Sequence, residues 1–574
     1  MADMDLLIQG GQVFNVYLKK FRPVDIVVND GMIAFVGDAA ALDFDYRMTV
    51  TAAGKFIVPG LIDIHMHIES SMATPLAFAA EVIKHGVTSI VSEPHEIANV
   101  FGIEGVREMI KAGAGAVVDV FYGVPSSVPS TTPEFETTGA EIGLIELAEL
   151  MREDRVICLG EVMNCYDLIH GQDTKTHQFL EFCRSEYGHL PIEGHCNRVS
   201  GFGLAKVLAA GVTSDHTQQT VATLAEKLAA GMFIELQEKS LNQANVAYIV
   251  TNDLYEQVAL VTDDVMADKL VHHGHLDRLI QKAVALGMPV EQAIYCATYT
   301  PARRMNLHDR GSIAPGKIAD LVFLNDPEQF TIQAVYKRGA AVSSLDLTAK
   351  PPELSYRFPE TYYHSIQRSP VTTDDLLLAC DRPDGPVRCR IIKVQDGTTA
   401  TEEMVAEVAV RDGRLDWESS PYCLIAVLER YGKNNNIGLG LVTGATIKRG
   451  AVAASYAHDH HNILAVGKSL PDIILAINTV IERQGGYFVV EDGQVQAGIE
   501  LPIGGILSAK DLPSIGRELA AVTAAMRELG YEHYNPVMSF STQGLPVSPL
   551  LKITDRGLIR YDRKQLVDIL AEEI

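Results

Sequence analysis

The chain has 574 residues, 47% of them hydrophobic and 21% charged, with a formal charge of −25 at pH 7. That length exceeds one ordinary core and predicts roughly two to four globular domains. The acidic balance excludes a phosphate-backbone partner, which needs clustered Lys and Arg, and no apolar run reaches the ~18 residues of a membrane span.

The opening Met1-Ala2-Asp3-Met4-Asp5 has no basic segment leading into an apolar one, and the eight cysteines (158, 165, 183, 196, 296, 380, 389, 423) form no CxxC pair. Both features predict a cytoplasmic protein with reduced thiols, without a secretory leader. Residues 5–57 alternate short apolar runs with turns, and Asn29-Asp30-Gly31 between two such runs predicts a hairpin. From 58 to 304 the pattern becomes strand then helix, eight times. Strand ends are expected near His67, His95, Val124, Glu161, His195, His216, Glu235 and Asp263, with helices at Pro75–His85, Gly139–Arg152, Lys175–Tyr187, Leu204–Ala210 and Thr220–Ala230. Eight alternations in about 250 residues predict an α/β fold, a (β/α)8 TIM-like barrel, over an open doubly wound sheet. Residues 305–350 return to β character and are expected to pair with 1–57 in a small β-sandwich. Pro351, Pro352 and Pro359 mark a linker, and 360–574 form a C-terminal mixed α/β domain.

Asp63-Ile64-His65-Met66-His67 is the strongest local motif. Alternate residues of a strand share a face, so Asp63, His65 and His67 point one way. At the C-terminal end of a barrel strand that face looks into the active site. Glu161, His195, His216 and Asp263 each cap a further apolar run, giving four His and two carboxylates at one end of the barrel. Such donors without thiolate favour Zn, Mn or Fe. Three other segments stay open to more than one reading. Glu69-Ser70-Ser71 reads as a helix N-cap and first turn or as part of the site. His272-His273-Gly274-His275 reads as a solvated loop or a pocket wall, with His273 the candidate substrate contact. His458-Asp459-His460-His461-Asn462 either reaches over the barrel mouth, binds a further ion, or makes a local turn network. His67-Ile68-Glu69 supplies half of an HxE…PCxxC pattern whose other half is missing, and no GxxxxGK[ST], HExxH or GxSxG occurs. Gly438-Leu439-Gly440 with Gly444 misses dinucleotide spacing and reads as a turn.

Val58-Pro59-Gly60-Leu61-Ile62-Asp63-Ile64-His65-Met66-His67 resembles the opening signature of the amidohydrolase superfamily, and residues 311–322 its closing segment. Ile68-Glu69-Ser70-Ser71-Met72, Ser92-Glu93-Pro94-His95-Glu96-Ile97-Ala98-Asn99, Lys448-Arg449-Gly450 and Ala457 to Asn462 are similar to the bacterial adenine deaminase family from end to end. The resemblance implies hydrolytic deamination of adenine to hypoxanthine and ammonia, in purine salvage, at two divalent ions, Mn2+ or Fe2+ with Zn2+ not excluded. It implies that His65 and His67 hold one ion and His195 and His216 the other. Many superfamily members bridge their ions with a modified lysine after the fourth strand; Glu161 stands there, so its carboxylate is expected to bridge. Asp263 would contact the first ion and take the water's proton. Glu96 would protonate the purine ring or act as an extra ligand, and Glu93, His95 and His273 would contact substrate. A homo-oligomer, a dimer or larger, is expected, with no nucleic-acid or membrane partner. The alternatives are another hydrolase on this scaffold, acting on a cyclic amide, an isoaspartyl peptide or a different aminopurine, and a non-catalytic relative.

Overall fold

The computed structural model describes residues 3–342 and 356–571, a mixed α/β chain. Pro351 and Pro352 lie outside the described residues, as do 343–350 of the expected second β segment.

The two chain segments expected to pair do so. Strands Asp3–Asn15, Lys20–Asn29, Met32–Gly37, Asp45–Thr51 and Phe56–Pro59 share one sheet with Leu321–Asp326, Thr331–Lys337 and Ala340–Ala341. The Asn29–Met32 hairpin turns through Asp30 and Gly31, at φ 51° and 71°, the left-handed pair that a type I′ turn requires. The layer is a single hydrogen-bonded sheet where two stacked sheets were expected. Its two edges are joined by residues 316–319: Ile33 N–H donates to Lys317 O (2.8 Å), and Gly339 N–H to Ala319 O (2.8 Å). Ile8, Val13, Ile26, Val28, Leu321 and Phe323 form its core.

Eight parallel strands follow: Leu61–Met66, Val87–Ser92, Asp119–Val124, Val156–Val162, Ile192–Gly194, Ser214–Asp215, Phe233–Leu236 and Val258–Leu260. Each pairs with its sequence neighbour; the fifth meets the sixth through Thr213 N–H and Ile192 O at 3.1 Å. A parallel bridge from Met66 to Asp263, with Asp263 N–H donating to His65 O (3.0 Å), brings the last strand back to the first. The first two strands are buried along their whole length, the polar Asp63, His65, Thr88 and Ser89 included.

Three local expectations are corrected. His95 does not end the second strand, which stops at Ser92; it opens the helix His95–Gly113. The helix expected over 139–152 spans only Leu144–Leu150, with the extended Gly143 as its N-cap and Gly143 N–H bonded to Glu146 Oε2 at 2.9 Å. Ile68–Ser71 is a short 3-10 turn, and Thr74 is the residue that caps Pro75–Val82.

Beyond residue 356 a nine-stranded sheet spans Gly385 to Glu500. Its central strand, Cys423–Leu428, shows the period of two that makes the sheet two-faced. Leu424, Ala426 and Leu428 pack with Ile473 and Ile477 of helix Leu470–Glu482. Ile425 and Val427 belong to the core that runs on into the eight-stranded unit. No helix among the described residues is long and apolar enough to cross a membrane.

Candidate metal centre

The C-terminal ends of the parallel strands bring Glu161, His65, His67, His195, His216 and Asp263 together, all buried except the half-buried His195. His67 Nδ1 lies 2.9 Å from Glu93 O, so Nδ1 carries a proton and Nε2 faces the carboxylates. That Nε2 is 3.4 Å from Glu161 Oε1 and 3.6 Å from Asp263 Oδ1, and His65 Nε2 is 3.9 Å from the same Asp263 oxygen. The other Glu161 oxygen, Oε2, faces His195 Nδ1 at 2.9 Å and His216 Nε2 at 3.2 Å. One carboxylate therefore divides its oxygens between two sets of nitrogens.

Burial, with His216 beside it, pushes His65 down to about 3, so its ring is neutral. Burial opposes charge on His216 too, but Glu161 carries it up to about 9. Against their own burial, Glu161 is held well below the carboxylate range by His216 and His195, and Asp263 below it by His67 and His216. His65 Nε2 has no hydrogen-bond partner although it is buried. An unpartnered imidazole nitrogen among ionised carboxylates is a donor set that fits divalent cations.

Residues outside this set hold it in shape. Asp63 Oδ2 accepts from Thr262 Oγ1 (2.6 Å) and Thr262 N–H (3.2 Å), fastening the residue before Asp263 to the first strand. Asp263 sits at φ 58°, a left-handed conformation that non-glycine residues adopt only when their surroundings impose it. Asp215 accepts from Cys196 N–H at 2.8 Å and from Lys227 Nζ at 2.5 Å, tying together the segments that carry His195 and His216. Asp63 shared a strand face with both histidines, a signal that could have marked it; nothing in the sequence marked Lys227.

Residues 56–342 match the amidohydrolase family, and residues 398–565 match the adenine deaminase C-terminal domain. A protein of Clostridium perfringens (strain ATCC 13124) named adenine deaminase is 48% identical over 573 residues, covering 99% of each chain. The chain belongs to the adenine deaminase family. A Shouchella clausii relative named adenine deaminase 2 is 46% identical, and an Oenococcus oeni relative of the same name 41%, each with 99% of both chains covered.

The second-strand motif of this adenine deaminase family member lies beside the six residues. His95 Nδ1 is 2.5 Å from Glu93 Oε2 and 3.8 Å from Glu161 Oε1. Glu96 is fully buried against His458 and His461 of the C-terminal domain. Despite burial, those two rings and His95 hold its carboxyl well below the usual range, so at neutral pH it carries charge and no proton to give. His273 is not brought to the cluster; it is exposed at the end of helix Ala267–His273. Its neighbour His275 is buried, with Nε2 3.3 Å from Thr262 Oγ1.

Proposed function

We propose that this protein hydrolyses adenine to hypoxanthine and ammonia, on a (β/α)8 barrel flanked by the sheet of both chain segments and joined to the C-terminal domain of residues 360–574. The observation that carries the reading is similarity over 99% of the chain to proteins named adenine deaminase. The six-residue cluster supports it chemically.

His65, His67 and Asp263 would hold one divalent ion and His195 and His216 a second, with Glu161 between them; these donors admit manganese, ferrous iron or zinc. Such ions, when bound, lower the pKa of water from about 15.7 to about 7. Asp263 keeps its charge through His67 and His216, so it is the group that takes the water's proton and returns one to the departing amine. Glu93 and His95 stand on the substrate side of Glu161. Glu96, as a carboxylate, offers an acceptor there and has no proton for the purine ring. Eight unpaired, buried cysteines support a reducing, cytoplasmic setting.

The test is direct. Protein loaded with Mn2+ or Fe2+ should remove the absorbance of adenine and release one ammonia per purine. No turnover with either metal would sink the substrate assignment, and equal turnover of adenosine would show a site open to the ribose.

A further inference from the structure

A second convergence of ligand atoms lies at the seam between the parallel-strand unit and the C-terminal domain. His95 Nε2, Glu96 Oε1, His458 Nδ1 and Asp459 Oδ1 come from residues no more than 4% exposed. None of these residues belongs to the six already described.

The spacings are those of donors around one ion. His458 Nδ1 is 2.7 Å from Glu96 Oε1 and 3.3 Å from Asp459 Oδ1; His95 Nε2 is 3.5 Å and 3.9 Å from the same two oxygens. Ligand bonds of ~2.1 Å set donor–donor edges of about 3.0 Å in an octahedron and about 3.4 Å in a tetrahedron. The cluster is also badly served by hydrogen bonds alone. Glu96 Oε1, the carboxylate oxygen that faces the cluster, is buried with no aligned partner.

Outer contacts hold the donors inward, as around a metal. His95 gives its Nδ1 side to Glu93 Oε2 at 2.5 Å, which leaves Nε2 as the donor to the cluster. Ala457 N–H donates to His461 Nδ1 at 3.3 Å, so His461 carries its proton on Nε2 and donates it to Glu96 Oε2. That bond leaves Oε1 as the free oxygen of Glu96.

We propose that His95, Glu96, His458 and Asp459 bind a third divalent cation of the manganese, ferrous iron or zinc class, separate from the two-ion centre. It would join the two parts of the chain, since Glu96 and the 458–461 segment lie more than 360 residues apart in sequence.

Mn2+ alone is the probe. The purified full chain is loaded with excess Mn2+, desalted, and its metal counted by plasma mass spectrometry. The expected count is three per chain, falling to two in His458→Ala and in Asp459→Asn. Glu161→Gln, which spares all four residues, should keep the seam ion and lose at least one of the others. Crystals of the loaded, unsubstituted chain should show a manganese anomalous peak within bonding distance of His458 Nδ1 and Glu96 Oε1, a readout that does not depend on any variant folding. A count of two or fewer in the unsubstituted chain, an unchanged count in both seam variants, or no anomalous peak there overturns the proposal. Loss of adenine turnover with the seam peak present would count against the proposed function and leave this site standing.

Discussion

Glu136 offers a test of how the buried electrostatics of this chain respond to pH. It is fully buried in the loop after the third parallel strand. Its Oε1 accepts from Ser130 Oγ (3.0 Å), Thr131 N–H (2.7 Å) and Thr131 Oγ1, while Oε2 is buried without a partner. Burial, with the Asp459 charge adding to it, outweighs those bonds and pushes the carboxyl up to about 7 from an ordinary 4.5. A raised folded-state value means that the folded chain binds this proton more tightly than the unfolded chain. Stability on this account is complete below pH 4.5, falls as the pH climbs to about 7, and stays lower above. At ~1.4 kcal/mol per pH unit the full effect is about 3 kcal/mol. Glu136→Gln keeps an oxygen for Ser130 and Thr131 and can never ionise, so it mimics the protonated acid. Metal-free variant and parent should melt together near pH 4.5. At pH 8.5 the variant should melt higher by about 6 °C, at roughly 2 °C per kcal/mol for a large folding unit. A difference in melting temperature that does not change with pH would refute the reasoning.

Three further substitutions follow. Asp263→Asn removes the proposed proton acceptor and should lower kcat by about 100- to 10,000-fold with metal content near normal; retained turnover would show that another group takes the proton. Glu161→Gln replaces one of the two outward oxygens with an NH2 group, so the loaded protein should lose ions and deaminase activity together, by metal count and adenine assay. Lys227→Met strands the buried Asp215, a loss of about 3–5 kcal/mol read as a lower unfolding midpoint. Adding Asp215→Asn should restore much of it, and if the double variant were no better than the single one, the ion pair would not be the cause.

Much of the site was legible because its donors cap strands. Period-two alternation puts His65 and His67 on one face, and the apolar runs before Glu161 and Asp263 mark where parallel strands end. What stayed hidden depends on partners remote in sequence. Residues 316–319 bond to both edges of the eight-stranded sheet, a pairing of segments far apart in the chain. The charge state of Glu96 is set by the imidazoles of His458 and His461, which come from another part of the chain.

The bond between Thr262 and Asp63 spans 199 residues, and this has a consequence for synthesis. At about 5–20 residues per second, His65 and His67 leave the ribosome some ten to forty seconds before Asp263 exists. Asp63 therefore waits for Thr262, and the histidines of the first strand have no Asp263 beside them until the last parallel strand has been made and docks against the first.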